Sequence, residues 1–182
     1  MTYSNIDSIN TYLKSTYKTL GLITRSDKYL NSVLSASQVL INSLKSGNKI
    51  YIAGNGGSAA DAQHFAAELV SRFMFDRNPL PAIALTTDSS SLTAIGNDYG
   101  FDQIFSRQLN AVANKDDIFI GISTSGKSPN IVKAFDMCKQ KKITSIAFSG
   151  IYGISSSTPD HLIAIPSEST PIIQEMHLIT YH

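Results

Sequence analysis

Short apolar runs that alternate with helical stretches from residue 49 onward constrain the fold of this chain more than any other feature. Strands that are apolar at nearly every position belong to a parallel sheet that helices cover on both faces. The pattern therefore predicts an α/β fold with a doubly wound, five-stranded parallel sheet. The five apolar runs span residues 50–54, 82–86, 118–123, 143–150 and 161–165.

The segment before the sheet has a different pattern. From Ile6 to Leu44 apolar residues recur at the spacing of an amphipathic helix, and Gly47 provides a stop. We expect two amphipathic helices here. The chain contains no repeat, low-complexity tract or linker, so we expect one domain over residues 1–182, with a helical preface at 1–48 and the sheet with its flanking helices at 49–182.

Charge and cysteine content exclude several classes of function. Fifteen Lys and Arg residues against fourteen Asp and Glu residues give a net charge of +1, which is too little to hold a nucleic-acid backbone or an anionic membrane. Cys138 is the only cysteine, so an internal disulfide and a cysteine-rich metal site are excluded. The polar N-terminus lacks a signal-peptide core, and no apolar run approaches ~18 residues. We expect a cytoplasmic protein that binds neither nucleic acid nor membrane.

The loop after the first predicted strand brings glycine-rich backbone to the start of a helix. Ligands of doubly wound sheets bind beyond the carboxyl ends of the strands. Exposed amides at a helix N-terminus suit an anion, and Ser58 and Asp61 have the spacing of a capping box. An ordinary strand-to-helix connection explains this loop equally well. Its spacing matches neither the dinucleotide fingerprint nor the nucleotide P-loop.

The loop after the third strand is denser in hydrogen-bond donors. Its hydroxyl groups surround Gly126, and Pro129 suits the first turn of the next helix. Such groups at a helix N-terminus can bind a phosphate, although a capped, solvated turn is the alternative. Both loops follow parallel strands and reach the same edge of the sheet, so each supports the other as a binding site. The hydroxyl groups belong to Ser123, Thr124, Ser125 and Ser128.

The helix after the first loop carries His64, Glu68 and Arg72 at intervals of four residues, so the three side chains lie along one stripe. His64 and Glu68 could ligate a metal or act on a substrate. The alternative, which the spacing alone favours, is a surface ion pair between Glu68 and Arg72 beside an ordinary histidine.

The last predicted helix, from Pro171 to His182, carries a second polar stripe. Gln174, His177 and His182 fall within about a third of its circumference at ~100° per residue. His177 is equally compatible with simple packing. No C-cap follows, and the last turn of a helix without onward hydrogen bonds tends to fray, so we expect the natural protein to continue as helix beyond His182.

Four segments together resemble the sedoheptulose 7-phosphate (phosphoheptose) isomerase family of SIS-domain proteins. The resemblance covers residues 50–182, while the first 49 match only as a helical preface, and it implies a flavodoxin-like SIS fold. The segments are GNGGSAADAQHFAAEL from residue 54, AIGNDYGFDQIFSRQL from residue 94, STSGKSPN from residue 123 and IQEMHLITYH from residue 173.

The resemblance also implies the residues of a site. Glu68 corresponds to the family's catalytic base and His182 to its acid, and Glu68 would also be a metal ligand. The implied zinc ligands are His64, Glu68, Gln174 and His182, donors that suit Zn²⁺. The implied substrate contacts are Asn55, Gly56, Gly57, Ser58, Glu68, Arg72, Asn97, Asp98, Ser123, Thr124, Ser125, Ser128 and Gln174.

The family reaction interconverts a ketose, sedoheptulose 7-phosphate, and an aldose, D-glycero-D-manno-heptose 7-phosphate, at the first step of ADP- or GDP-heptose synthesis for bacterial surface glycans. Moving the carbonyl from C2 to C1 requires removal of a carbon-bound proton, a cis-enediol and return of a proton. A carboxylate and an imidazole suffice for this, so no nucleotide or redox cofactor is required. The resemblance further implies a homo-oligomer, a tetramer whose active sites are shared between subunits.

Two other functions compete with this one. A non-catalytic SIS protein of the replication-initiator-associating type shares the fold, but such proteins generally lack the glutamate and the final histidine that stand here at Glu68 and His182. A sugar-phosphate-sensing regulator would need an additional DNA-binding domain, and the 49-residue preface offers neither a basic surface nor a recognition helix.

Overall fold

The computed structural model describes residues 5–182, which form a parallel sheet with helices on both faces. The strands are β1 (Ile50–Gly54), β2 (Ala82–Ala84), β3 (Ile118–Ser123), β4 (Thr144–Ser149) and β5 (His161–Ala164). The helices are α1 (Ile6–Thr24), α2 (Asp27–Lys45), α3 (Gly57–Val70), α4 (Ser89–Tyr99), α5 (Ile104–Val112), α6 (Pro129–Lys141) and α7 (Thr170–Tyr181), with a 3₁₀ turn at Phe101–Gln103.

All five strands are parallel, in the order β2-β1-β3-β4-β5. This is the flavodoxin-like doubly wound order, so the predicted fold is confirmed. The direction of winding reverses between β1 and β3, and the loops that follow these two strands flank the crevice where ligands of such sheets bind. None of the helices within residues 5–182 combines the length and the hydropathy needed to cross a bilayer.

Alternate residues of each strand are buried on opposite faces of the sheet. Ile50 and Ile52 of β1 pack with Phe65 of α3 on one face, whereas Tyr51 packs on the other face. This alternation follows from the period of two in an extended strand, and each side chain is buried because helices cover both faces. Cys138 belongs to the same buried cluster as Tyr51 and is fully buried, which agrees with a packing role.

The preface forms the two predicted helices and is bonded to the last helix of the chain. In α1, the Tyr12 hydroxyl donates to Glu175 Oε1 over 2.6 Å and the Thr16 hydroxyl donates to Glu175 Oε2 over 3.1 Å. In α2, the Tyr29 hydroxyl lies 2.5 Å from the Thr180 hydroxyl. The preface therefore holds α7 in position against the sheet.

The predicted capping box at the start of α3 is wrong. Helix α3 already begins at Gly57, behind an N-cap residue, Gly56, whose φ of 55° favours glycine. Ser58 therefore lies inside the first turn, where it is buried and caps nothing. Asp61 is partly buried and faces the hydroxyl group of Tyr181.

Candidate functional site

The loops that follow β1 and β3 lie side by side, because Gly54 at the end of β1 pairs with Ile122 near the end of β3. Their side chains also meet. Asn55 Nδ2 donates to Asn130 Oδ1 over 2.9 Å, and Asn130 Nδ2 donates to Asn55 Oδ1 over 2.8 Å. The two loops thus share one edge of the sheet, as the order of the strands predicts.

Some polar groups of the hydroxyl loop, residues 123–128, are hydrogen-bonded to each other. Ser123 Oγ lies 3.0 Å from Ser128 Oγ, and the Lys127 amide donates to Ser125 Oγ over 3.2 Å. Ser128 is the N-cap residue of α6, but its side chain makes no capping hydrogen bond. The loop therefore presents hydroxyl groups and the positive end of a helix dipole at one place, an arrangement that suits a phosphate.

A second segment, residues 150–155, supports the hydroxyl loop from behind. Gly126 has a φ of 65°, and a Cβ atom built on it would lie 1.6 Å from the carbonyl oxygen of Gly153. The amide of Ser155 donates to Gly126 O over 3.0 Å, and the amide of Gly150 donates to Thr124 O over 3.1 Å. Close backbone contact of this kind requires glycine at position 126.

Three titratable side chains converge where α3 lies beside the end of α7. His64, Glu68 and His182 each offer a ligand atom, and these atoms lie within 4.8 Å of one another. His64 Nε2 is 3.2 Å from Glu68 Oε1, close to the roughly 3.4 Å that separates two ligand atoms on a tetrahedral zinc ion. The ring of Phe73 stacks on His182 with centroids 5.2 Å apart. This cluster could hold a metal ion.

Tyr181 and Asp61 adjoin this cluster. The Tyr181 hydroxyl lies 2.9 Å from His64 Nδ1. Burial raises the pKa of the Asp61 carboxyl, and a hydrogen bond with Tyr181 and the charge of His64 offset part of that rise. Burial and the negative charges of Asp61 and Glu68 raise the pKa of Tyr181 well above its ordinary value. The phenol therefore keeps its proton and acts as a neutral hydrogen-bonding group.

Gln174 lies nearer to the first loop than to the end of its helix. A Cβ atom built on Gly57 would lie only 2.5 Å from Gln174 Nε2, so the amide rests directly on the first residue of α3. Gln174 precedes His182 by eight residues, or about 12 Å along the helix axis. The structure thus groups three of the four predicted zinc ligands and places the fourth beside the predicted substrate loop.

Three other predicted contacts lie apart from these groups. Arg72 follows the end of α3 and is exposed, and Glu68 pairs with His64, so the alternative ion pair between Glu68 and Arg72 is not formed. Asn97 and Asp98 are exposed at the end of α4, where Asn97 Nδ2 donates to Asp98 Oδ1 over 2.7 Å. Within residues 5–182 neither side chain is hydrogen-bonded to the two loops.

His177 belongs to the core. Its Nε2 lies 3.2 Å from the carbonyl oxygen of Ser149, its ring packs edge-on against Phe148, and it is fully buried. Burial lowers the pKa of His177 to about 4, although the hydrogen bond to Ser149 opposes that change. The imidazole is therefore neutral near pH 7 and packs behind the end of β4.

Arg77, which no sequence pattern predicted as important, caps the end of α3. Its guanidinium group donates to the carbonyl oxygens of Glu68 and Leu69 over 2.7 and 2.8 Å. These carbonyls have no partner within the helix, and the arginine complements the helix dipole there; the Leu80 amide also donates to Leu69 O over 3.0 Å. No spacing rule identifies such a residue, because Arg77 lies in an irregular segment beyond the helix.

Comparisons with known proteins show the family of this chain. A family model described as the SIS domain matches residues 12–150. Phosphoheptose isomerase 2 of Campylobacter jejuni is 49% identical over an alignment that covers 97% of this chain and 90% of the relative. The phosphoheptose isomerase of Aneurinibacillus thermoaerophilus is also 49% identical, over 97% of this chain and 89% of its own length. The chain belongs to the phosphoheptose isomerase family.

Solved structures of phosphoheptose isomerases share the fold. The protein from Francisella tularensis superposes with a TM-score of 0.92 at 36% identity and covers 100% of this chain and 95% of its own. The protein from Neisseria gonorrhoeae gives a TM-score of 0.86 at 36% identity, over 97% and 94% of the two chains. The predicted resemblance and the prediction of an isomerase are confirmed.

Proposed function

We propose that this chain converts sedoheptulose 7-phosphate into D-glycero-D-manno-heptose 7-phosphate through an enediol or enediolate, at the first step of ADP- or GDP-heptose synthesis. The observation that carries the proposal is the convergence of the Glu68 carboxylate and the His182 imidazole at one place on adjoining helices. Aldose–ketose isomerisation requires one base and one acid at neighbouring carbon atoms, and this pair can supply both.

Each group has a role in the proposed reaction. Glu68 takes the carbon-bound proton and returns it to the adjacent carbon, while His182 exchanges a proton with the substrate oxygen atoms. Oε1 of Glu68 faces His64, and the carboxylate has a second oxygen that can accept the proton. Phe73, stacked on His182, limits the positions open to that imidazole.

The two loops bind the rest of the substrate in this proposal. The hydroxyl loop takes the phosphate and the backbone of Gly56 and Gly57 lies along the sugar chain, next to Gln174. Binding energy from a phosphate remote from the reacting carbons orients the open sugar and lowers the barrier. Ser58 is buried below the first loop, so its role is to support that backbone.

We also propose a zinc site formed by His64, Glu68 and His182, with Gln174 as the fourth ligand. Two imidazoles, a carboxylate and an amide oxygen are donors that Zn²⁺ accepts. When bound, the ion would act as a Lewis acid toward the carbonyl and hydroxyl oxygens of the substrate. In the structure the Gln174 amide lies beside Gly57, about 12 Å along the helix axis from His182.

A homo-oligomer, specifically a tetramer with shared active sites, is part of the same proposal. Helix α1 carries four large apolar side chains at intervals of three or four residues, each more than half exposed, and such a stripe is normally buried. Asn97 and Asp98 would then serve the site of another subunit. The four side chains are Ile6, Ile9, Leu13 and Tyr17.

One incubation tests the reaction and its mechanism together. Purified protein is mixed with sedoheptulose 7-phosphate in D₂O and followed by NMR, and we expect an aldose phosphate that carries deuterium at C2. Proton abstraction allows exchange with solvent, whereas a direct hydride shift would leave C2 without deuterium. Folded protein that forms no aldose phosphate would refute the proposed conversion of sedoheptulose 7-phosphate.

The metal and the oligomer need separate measurements. Elemental analysis of the purified protein should find zinc, and His64→Ala should lose it. Active protein free of zinc would refute the zinc site. Light scattering coupled to gel filtration should give four times the chain mass of 19.7 kDa, and a monomer would refute shared sites.

A further inference from the structure

The side chains of Asn55 and Asn130 form a closed pair of hydrogen bonds between the two loops of the proposed substrate site. The two distances are 2.9 and 2.8 Å, and each amide donates once and accepts once. Asn130 lies in the first turn of α6 and is 2% exposed. The pair is thus the direct side-chain link between the loop after β1 and the loop after β3.

This link changes what the first loop can offer to a substrate. Both polar atoms of the Asn55 side chain are directed at Asn130, although the family resemblance implies that Asn55 contacts the substrate. Gly56 and Gly57 have no side chains, and no side chain caps the start of α3. Besides the second N–H and the second lone pair of the Asn55 amide, what this loop offers is backbone, and its position depends on Asn55.

Fold stability alone is a weak reason for such a pair. A hydrogen bond between neutral groups replaces bonds to water and so contributes little net stability, and an apolar pair of similar shape can be equally stable. A double hydrogen bond differs from an apolar contact in fixing both the distance and the mutual orientation of two groups. Here it fixes the backbone of one loop with respect to the other.

We propose that Asn130 is a positioning residue of the substrate site, which through Asn55 holds the backbone at Gly56 and Gly57 at a set distance from the hydroxyl loop. A sugar phosphate must contact both loops at once, so a change in their separation weakens binding of the whole ligand. A free phosphate contacts the hydroxyl loop alone and does not sense that separation. The inference rests on the proposed function, because it takes the two loops to be the substrate site.

The test compares the binding of two ligands to a parent variant with low turnover. Glu68→Gln serves as the parent so that sedoheptulose 7-phosphate is not consumed during calorimetry, and inorganic phosphate is the second ligand. Into this parent we introduce Asn130→Ala, Asn55→Ala and the double substitution. We expect each to weaken sedoheptulose 7-phosphate binding about tenfold, since small displacements of positioned groups cost at least that much. Binding of inorganic phosphate should change less than about twofold.

The double substitution and a matched control separate positioning from stability. If the pair acts as a unit, the double variant binds sedoheptulose 7-phosphate no more weakly than either single variant. Ser145→Ala is the control, because this buried serine is hydrogen-bonded to Asp160 far from both loops. It should lower the melting temperature without changing either affinity. Asn55→Ala keeps the test available if Asn130→Ala does not fold.

Three results would overturn the inference. The first is that Asn130→Ala and Asn55→Ala bind both ligands as tightly as the parent does. The second is an equal loss for both ligands, and the third is a loss in Ser145→Ala as large as in Asn130→Ala. A parent that binds neither ligand would instead refute the proposed function, and this inference with it.

Discussion

The hydroxyl group of Tyr181 lies 2.9 Å from Nδ1 of His64, on the side of the imidazole opposite to Glu68. If Nδ1 carries the ring proton and donates it to the tyrosine oxygen, Nε2 keeps the lone pair that a metal requires. In that tautomer the tyrosine would orient a proposed zinc ligand, and the contact joins the last turn of α7 to the middle of α3.

Tyr181→Phe should lower zinc affinity by about tenfold or more, the usual cost of losing a group that orients a metal ligand. The phenyl ring keeps the stacking on Phe65, so the packing of α7 should change little. Competition against a chromophoric chelator measures the affinity. Tyr152→Phe is the matched control, because that hydroxyl contacts Glu168 on the surface. Equal zinc affinities in all three proteins would contradict the role of Tyr181.

Glu68→Gln should lower turnover by roughly a hundredfold or more, because a positioned base is lost while its shape is retained. The glutamine can still contact His64, so the fold and the binding of substrate should persist. Initial rates with sedoheptulose 7-phosphate give the comparison, and Glu168→Gln, an exposed carboxylate elsewhere, is the control. If turnover stays near the wild-type value, Glu68 is not the base.

Ser125→Ala and Ser128→Ala should each weaken binding of the sugar phosphate by about tenfold, since a hydrogen bond to a charged group contributes about 1.5–3 kcal/mol. The unphosphorylated sugar should bind to wild type and variants alike. Ser156→Ala, an exposed serine outside the loop, controls for general effects. Calorimetry with both ligands provides the affinities, and an equal loss for both would remove these hydroxyl groups from the phosphate site.

The stability of this protein should depend on pH through His177. Its pKa is about 4 in the folded protein and about 6.5 when unfolded, so the unfolded chain binds the proton first as pH falls. The contribution of the neutral imidazole is complete above pH 6.5 and declines by about 1.4 kcal/mol per pH unit toward pH 4. Urea unfolding of wild type and His177→Gln between pH 7 and pH 4.5 measures the difference. If the unfolding free energies of the two proteins change equally with pH over this range, His177 does not cause the pH dependence.

The sheet was predictable because local sequence and tertiary environment agree there. Each residue from Ile118 to Ser123 is buried on one face or the other, so an unbroken apolar run was a reliable sign of a central strand. The start of α3 was mispredicted, because the capping rule considers Ser58 and Asp61 but not the positive φ of Gly56, which begins the helix earlier.

The site was only partly predictable for a physical reason. The spacing of His64 and Glu68 follows from one helix, so sequence alone places them on one face. The contact of His64 with Tyr181 joins residues 117 positions apart and depends on how α3 and α7 pack. Asn130 likewise lies within a predicted loop motif, yet its pairing with Asn55 depends on the order of the strands.

The close approach of Gly153 to Gly126 changes how variation in residues 150–155 should be regarded. A surface turn ordinarily accepts insertions and altered side chains, because few contacts depend on it. Here the turn is the support of the hydroxyl loop, with hydrogen bonds from Gly150 and Ser155 on either side of that contact. A mutational library built over this segment would therefore be depleted of functional variants as strongly as one built over the hydroxyl loop itself.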